Sequence, residues 1–323
     1  MKQIRTAHIT SNKNVNNPFE RTVNRRSIFR WAANERGGTL SGYEYCVYED
    51  RELPAPELSE EHIIPLALGG VDALVVRGST RFNSDVGSEL EGALANEFAM
   101  SLRRNEFDVR GHSGKRPVPT YKSGRIEELN LPVQVQLDKR ERKLCLYSPQ
   151  AGRFLEDHES AGRQITFRTT IDPTVRLRFA AKVAIGAGYF AYGDKFVENA
   201  RVDHLRALVR LDKEKMSDEL KVVDNLTGDL SEQQKIVHAL GKHVGVSSVV
   251  IMPSSNDITF IVTCLKEFCG LLRVSADTSE LPNDGHYKWG HILACDGKLL
   301  RRGSLCHGLE LLRNVAARAS EES

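Results

Sequence analysis

Glu61 and His62 stand side by side in the run Ser59-Glu60-Glu61-His62-Ile63-Ile64-Pro65, and Asn83 follows in the same segment. These are side chains that carry chemistry. Imidazole exchanges a proton near neutral pH, and carboxylate and amide oxygens are hard donors to cations. Type alone assigns no role: an adjacent Glu and His is equally an ordinary surface pair, and Asn equally opens a turn. The elements around the pair sharpen the reading. Tyr43 to Tyr48 is dominated by aromatic and β-branched residues and predicts a strand. Pro54 and Pro56 mark a loop, Glu61 to Ile64 a second short strand, Gly69-Gly70 a turn, and Ala73 to Val76 the returning strand. Neighbours on a strand face opposite sides, so Glu61 and His62 can serve two sides of one hairpin. Glu60 could replace Glu61 by a one-residue shift, but the period-two pattern favours Glu61.

A helix follows. Ser88 and Glu91 fit a capping box, and Leu90, Leu94, Phe98 and Leu102 recur at helical spacing. The capping box also explains Glu91 without giving it a ligand's role.

The order strand, turn, strand, helix, with Glu61-His62-Ile63-Ile64-Pro65, Gly69-Gly70, Asn83, Gly87 and Glu91 along it, resembles the HNH nuclease family. The resemblance covers about Tyr43 to Arg116. More weakly, Lys182 to Phe196 is similar to a helix that follows the nuclease domain in bacterial members. It implies a ββα-metal fold and a DNA endonuclease that leaves 5′-phosphate and 3′-hydroxyl ends. Glu61 would ligate one divalent metal, Mg²⁺ or Mn²⁺, with Asn83 as the second oxygen ligand, and His62 would be the general base. Many relatives carry two C-x-x-C knuckles around a structural zinc. Here Cys46 stands alone with Glu49 near it, and Gly78-Ser79-Thr80-Arg81-Phe82 replaces the second knuckle. Four thiolates cannot be assembled, so no structural zinc is expected. The aromatic strand and amphipathic helix must then hold the fold. Relatives in other subgroups brace the catalytic loop with an Asn before the second strand, where this chain reads Val71-Asp72-Ala73-Leu74.

Charge distribution fits a phosphate backbone better than the sum does. The net charge is only +2, yet between Met1 and Leu40 eight Lys and Arg, among them Arg25, Arg26 and Arg30, face only Glu20 and Glu35. Arg110, Lys115 and Arg116 lie in a Gly- and Pro-rich basic stretch, which also holds His112 and reads as a linker from Arg103 to Arg125. These six cations are the expected DNA contacts, made to backbone rather than bases. A solvated basic terminus is the plainer alternative for the first three.

Six cysteines without a C-x-x-C pair, behind a polar N-terminus, predict reduced thiols in a cytoplasmic protein. The longest apolar run, Phe179 to Tyr192, is interrupted by Lys182 and too short to span a bilayer, so no membrane partner is expected. The expected architecture is α+β: a basic arm (1–40), an HNH nuclease domain (41–125), and a mixed α+β regulatory or targeting domain with an antiparallel sheet (126–323). In that last part Val133 to Leu137, Leu144 to Tyr147 and Gln164 to Thr169 read as strands. Val175 to Phe190 reads as an apolar helix whose Gly186 and Gly188 mark close packing. Gln233 to Lys242 reads as a helix, and Val246 to Met252, Ile258 to Leu265 and Gly270 to Ser275 as one antiparallel sheet. A hairpin turns at Asp296-Gly297 and a last helix starts near Leu305. Cys264 and Cys269 read as buried thiols across a tight turn.

One active site cuts one strand, so a double-strand break needs a homodimer or two nicks. A regulatory partner protein and a role in defence against phage or foreign DNA come only by association with the family. The alternative is a catalytically inactive HNH-fold protein that binds nucleic acid; an RNase is a third and weaker reading.

Overall fold

A computed structural model describes residues 42–111, 113–115, 117–137, 144–167, 171–212, 214, 217–223, 231–282, 285–310 and 313–314. The segment that expectation makes a basic arm, with Arg25, Arg26, Arg30 and a short helix over Ser27 to Ala33, lies outside them. So do His112 and Arg116.

The fold is α+β with antiparallel sheets. Strands β1 (Tyr43–Cys46) and β2 (Arg51–Pro54) form a ribbon, and β3 (Leu58–His62) pairs with β4 (Val75–Ser79) in the next. Between β3 and β4 the chain turns over a single helical turn at Leu66–Leu68, which ends on Gly69 at φ 82°. Gly70 donates its N–H to the Pro65 carbonyl, and a Cβ there would lie 1.7 Å from the Ile64 oxygen. The tight turn therefore needs glycine at both places.

Helix α1 (Ser88–Asn96) and helix α2 (Phe98–Glu106) replace the single helix expected from Leu90, Leu94, Phe98 and Leu102. The break falls at Glu97, whose extended backbone caps α2 while its carboxylate is drawn to Arg176. The stretch expected to be a linker, Arg103 to Arg125, also begins and ends in regular structure. Helix α2 continues to Glu106, and strand β5 (Thr120–Ile126) lies inside a five-stranded sheet. Its polar sequence hid it: two positions are taken up by a register shift between Tyr121 and Gly124. The other strands are β6 (Leu131–Leu137), β7 (Leu144–Ser148) and β9 (Ile165–Phe167), close to the predicted spans, and the short β8 (Arg153–Phe154), which was not predicted. Their core is small, built on Ile126, Val133, Val135 and Leu146. Strand β5 runs across the domain boundary drawn at 125.

Helix α3 (Pro173–Tyr192) is the central element. Asp172 caps it, its carboxylate accepting from the N–H groups of Thr174 and Val175. The predicted glycines work as expected. A Cβ on Gly186 would meet the Tyr48 hydroxyl at 2.6 Å and Ile63 at 2.9 Å, and one on Gly188 would enter the Phe196 ring at 2.4 Å. Helices α4 (Asp194–Asn199) and α5 (Val202–Arg210) follow in a stretch whose pattern predicted no element. Strands β10 (Lys221–Val223), β11 (Ser247–Pro253), β12 (Asp257–Cys264), β13 (Glu267–Ser275), β14 (His291–Asp296) and β15 (Leu299–Ser304) form the large sheet, in the order β10-β13-β12-β11-β14-β15. Helix α6 (Glu232–Val244) covers one face and α3 the other. The β12–β13 turn is made by Leu265 and Lys266, both at positive φ, whereas the sequence places it at Lys266-Glu267. The last helix begins at Leu305.

One core joins the residues of β1–β4 and α1 to α3, α5 and the large sheet, from Cys46 to Leu300. The segment predicted to be the nuclease domain thus shares its interior with the segment predicted to be regulatory. All six cysteines are free thiols, and Cys264 and Cys269 are buried as expected. Among the described residues, no helix is long and apolar enough to cross a membrane.

Candidate active site

Strand β3 presents its residues alternately, and the two candidate groups part as the pattern predicts. Glu61 pairs with Val76 and His62 with Val75, so the carboxylate and the imidazole leave the hairpin on opposite faces. Asn83 follows β4 by one short helical turn, Thr80–Phe82, capped by the Ser79 hydroxyl. Its amide donates to the Ser59 hydroxyl at 2.9 Å, which places it on the face that carries Ser59 and Glu61. Gly78 lies between them: a Cβ there would be 3.0 Å from Glu61 Cβ and 3.4 Å from Asn83 Oδ1. The missing side chain leaves Asn83 Oδ1 close to the stem of the Glu61 side chain on one side of the hairpin, and Asn83 Oδ1 is buried with no hydrogen-bond partner. A buried unsatisfied acceptor costs about 1–3 kcal/mol, so it points to something that the protein does not itself supply.

His62 is braced on the other face. Its Nε2 lies 3.1 Å from Asp72 Oδ1, in the Val71-Asp72-Ala73-Leu74 stretch ahead of β4. In the tautomer whose Nε2–H donates to Asp72, Nδ1 carries the lone pair. The His62 side chain is 18% exposed and Asp72 73%, so the dyad sits at the surface.

One further residue, which the motif did not supply, belongs to the site. Lys182 of α3 reaches the hairpin with its ammonium 2.6 Å from Glu61 Oε1, 2.8 Å from Glu91 Oε1 and 2.6 Å from the His62 carbonyl oxygen. Lys182 is 1% exposed. Burial disfavours its charge, but Glu91, Tyr48 and Glu61 outweigh that and hold its pKa above the ordinary lysine value. For Glu91, burial outweighs the attraction of Lys182 and raises the carboxyl pKa. Glu91 therefore answers Lys182, which corrects the capping-box reading. The sequence did carry a signal for this cluster: Lys182 is a lone cation between Phe179-Ala180-Ala181 and Val183-Ala184-Ile185. A charge in an apolar helix needs a partner.

Around Cys46 and the Gly78 to Phe82 stretch the hairpin is held by other contacts. Cys46 Sγ accepts from the Ser79 N–H at 3.2 Å, and Tyr48 stacks on Phe82 with centroids 4.6 Å apart and planes 6° from parallel. The second half of the chain clamps the rest. Arg206 donates to the Val47 carbonyl, Arg210 to the Tyr48 carbonyl, and Ser247 Oγ to the Leu68 carbonyl at 2.6 Å.

Of the predicted DNA contacts, Arg110 and Lys115 are described. Both lie on an exposed loop whose Gly111 packs on Ala67, beside the turn that follows His62. Arg110 is paired with Asp108 at 3.2 Å.

Glu61 and Asn83 suit a hard divalent cation. Mg²⁺ is commonly held by one or two protein oxygens, with water and substrate phosphate completing its shell. Among the described residues no three His, Cys, Asp or Glu side chains form a ligand set, so a cage made wholly of protein is not on offer. Comparison with protein-family models, with curated proteins and with solved structures finds no match.

Proposed function

We propose that this protein is a metal-dependent HNH-type endonuclease that hydrolyses DNA phosphodiester bonds. One observation carries the reading: Glu61 and the unsatisfied Asn83 Oδ1 share one face of a β-hairpin, while His62, tied to Asp72, occupies the other. Nδ1 of His62 takes the proton from the attacking water, and Asp72 stabilises the imidazolium that results. The second carboxylate oxygen of Glu61 and Asn83 Oδ1 would hold Mg²⁺ or Mn²⁺, which when bound neutralises charge on the phosphate and on the departing oxygen. Arg110 and Lys115, with Arg116 and the arm residues Arg25, Arg26 and Arg30, supply backbone contacts, so affinity should fall steeply with salt. A double-strand break then takes a homodimer or two successive nicks.

One observation favours the second reading, a nucleic-acid-binding protein without catalysis. The Lys182 ammonium sits on one oxygen of the candidate ligand Glu61. Plasmid nicking separates the two readings. Wild type and His62→Ala are incubated with Mg²⁺, Mn²⁺ or EDTA, and DNA binding is followed in parallel. Metal-dependent nicking by wild type, lowered at least about a hundredfold in His62→Ala with binding unchanged, is the expected result. Binding by both proteins with no cleavage in any metal would replace the nuclease reading with the second.

A further inference from the structure

Resting on the nuclease reading, we propose that Lys182 makes metal uptake depend on DNA: its ammonium, fixed on one oxygen of Glu61, keeps the empty site a weak cation binder until a phosphate arrives. The geometry allows the ammonium little freedom. Three oxygens lie within 2.8 Å of it, one from each of Glu61, Glu91 and the His62 backbone. A metal on the other Glu61 oxygen would share a carboxylate with a buried cation. Like charges that close, with little water between them, are poorly screened.

The remaining donor, Asn83 Oδ1, is neutral and adds no charge to offset the repulsion. A DNA phosphate does: it brings a negative charge and a further oxygen ligand to the same place. Stability alone is a weak reason for the arrangement, because a buried ion pair can often be replaced by apolar residues without loss. Lys182 is thus a positioning residue, which acts on the metal through Glu61.

Coupling of this kind is reciprocal, so DNA should tighten metal and metal should tighten DNA by the same factor. The test measures Mn²⁺ binding by electron paramagnetic resonance, with and without a duplex oligonucleotide, in the His62→Ala protein so that no DNA is cut. In that protein DNA should strengthen Mn²⁺ binding by about tenfold or more. Adding Lys182→Met with Glu91→Gln removes the ammonium and one carboxylate together, so the formal charge of the cluster stays the same and rests on Glu61 alone. Mn²⁺ should then bind about tenfold tighter without DNA, and most of the gain from DNA should vanish. Lys182→Arg, which keeps the cation, should behave as the parent.

Equal Mn²⁺ affinity with and without DNA in the Lys182-containing parent overturns the proposal, whatever the variants do. So does a folded double variant with the parent's affinity and DNA dependence, since Lys182 would then be a structural pin. No Mn²⁺ binding by any of these proteins, with or without DNA, is a different failure: it removes the nuclease reading beneath the proposal.

Discussion

Helix α3 meets the rest of the molecule in two contrasting ways. Its first half is joined to the hairpin region by ions: Arg176 to Glu97 at 2.6 Å, Arg178 to Glu89 at 3.2 Å, and Lys182 to Glu61 and Glu91. Its second half is joined by close apolar contact, Gly186 against Tyr48 and Ile63 and Gly188 against Phe196. Apolar contact stabilises without demanding a partner for every atom. Buried charge is stabilising only while each partner is present. The ionic half is therefore the more vulnerable to single changes, and it is the half that touches the candidate site.

The largest expected effect breaks the ionic half. Lys182→Met alone leaves Glu61 and Glu91 facing each other, and urea unfolding should register a loss of about 3–5 kcal/mol. Part of that should return when Glu91→Gln is added, because the repulsion between the two carboxylates goes while Glu61 still lacks its cation. A single change costing under about 1 kcal/mol would mean that the cluster is wetter than its burial implies. In the apolar half, Gly188→Ala forces a methyl group into the Phe196 ring and should cost about 1–3 kcal/mol by the same measurement. A neutral Gly188→Ala would erase the contrast from the other side.

Acid sharpens the comparison at the far end of the helix. His291, stacked on Tyr287 and edge-on to Tyr192, has its pKa lowered to about 3, by burial first and by Arg302 second. The unfolded chain binds a proton near the ordinary value of 6.5, so stability is held above that pH and lost as pH falls from 6.5 towards 3. Between pH 7 and pH 5 the loss assigned to His291 is about 2 kcal/mol, and thermal unfolding of His291→Gln should show a flatter pH dependence there. Glu89→Ala should be the smallest change, below about 1 kcal/mol, because that carboxylate is 65% exposed.

The hairpin, the Gly69-Gly70 turn, α3 with its two packing glycines, and the large sheet were legible because each has a local cause. Alternation fixed the faces of Glu61 and His62, and small residues marked close approach. Helices α4 and α5 and strand β5 were not legible. Strand β5 reads Thr-Tyr-Lys-Ser-Gly-Arg-Ile, and its bulge breaks the alternation that would have declared it. The candidate site was legible as far as Glu61, His62 and Asn83. Asp72 and Lys182 were not, for opposite reasons. Asp72 is near in sequence, but an exposed Asp in a turn carries no sign of the histidine it will meet. Lys182 reaches Glu61 from 121 residues away, where only a lone charge in an apolar helix hinted at it. The expected boundary at 125 failed to mark a structural seam for the same reason, since partners of the site come from both sides of it.

The Ser247 hydroxyl that holds the Leu68 carbonyl lies 179 residues further along the chain. A ribosome adding about 5–20 residues per second therefore exposes the hairpin for roughly 10–35 s before that clasp exists. Throughout this interval the nascent chain carries Glu61, His62 and Asn83 without the sheet that shapes them, and for most of it without Lys182. The order of synthesis thus delays assembly of the site until most of the polypeptide has been made.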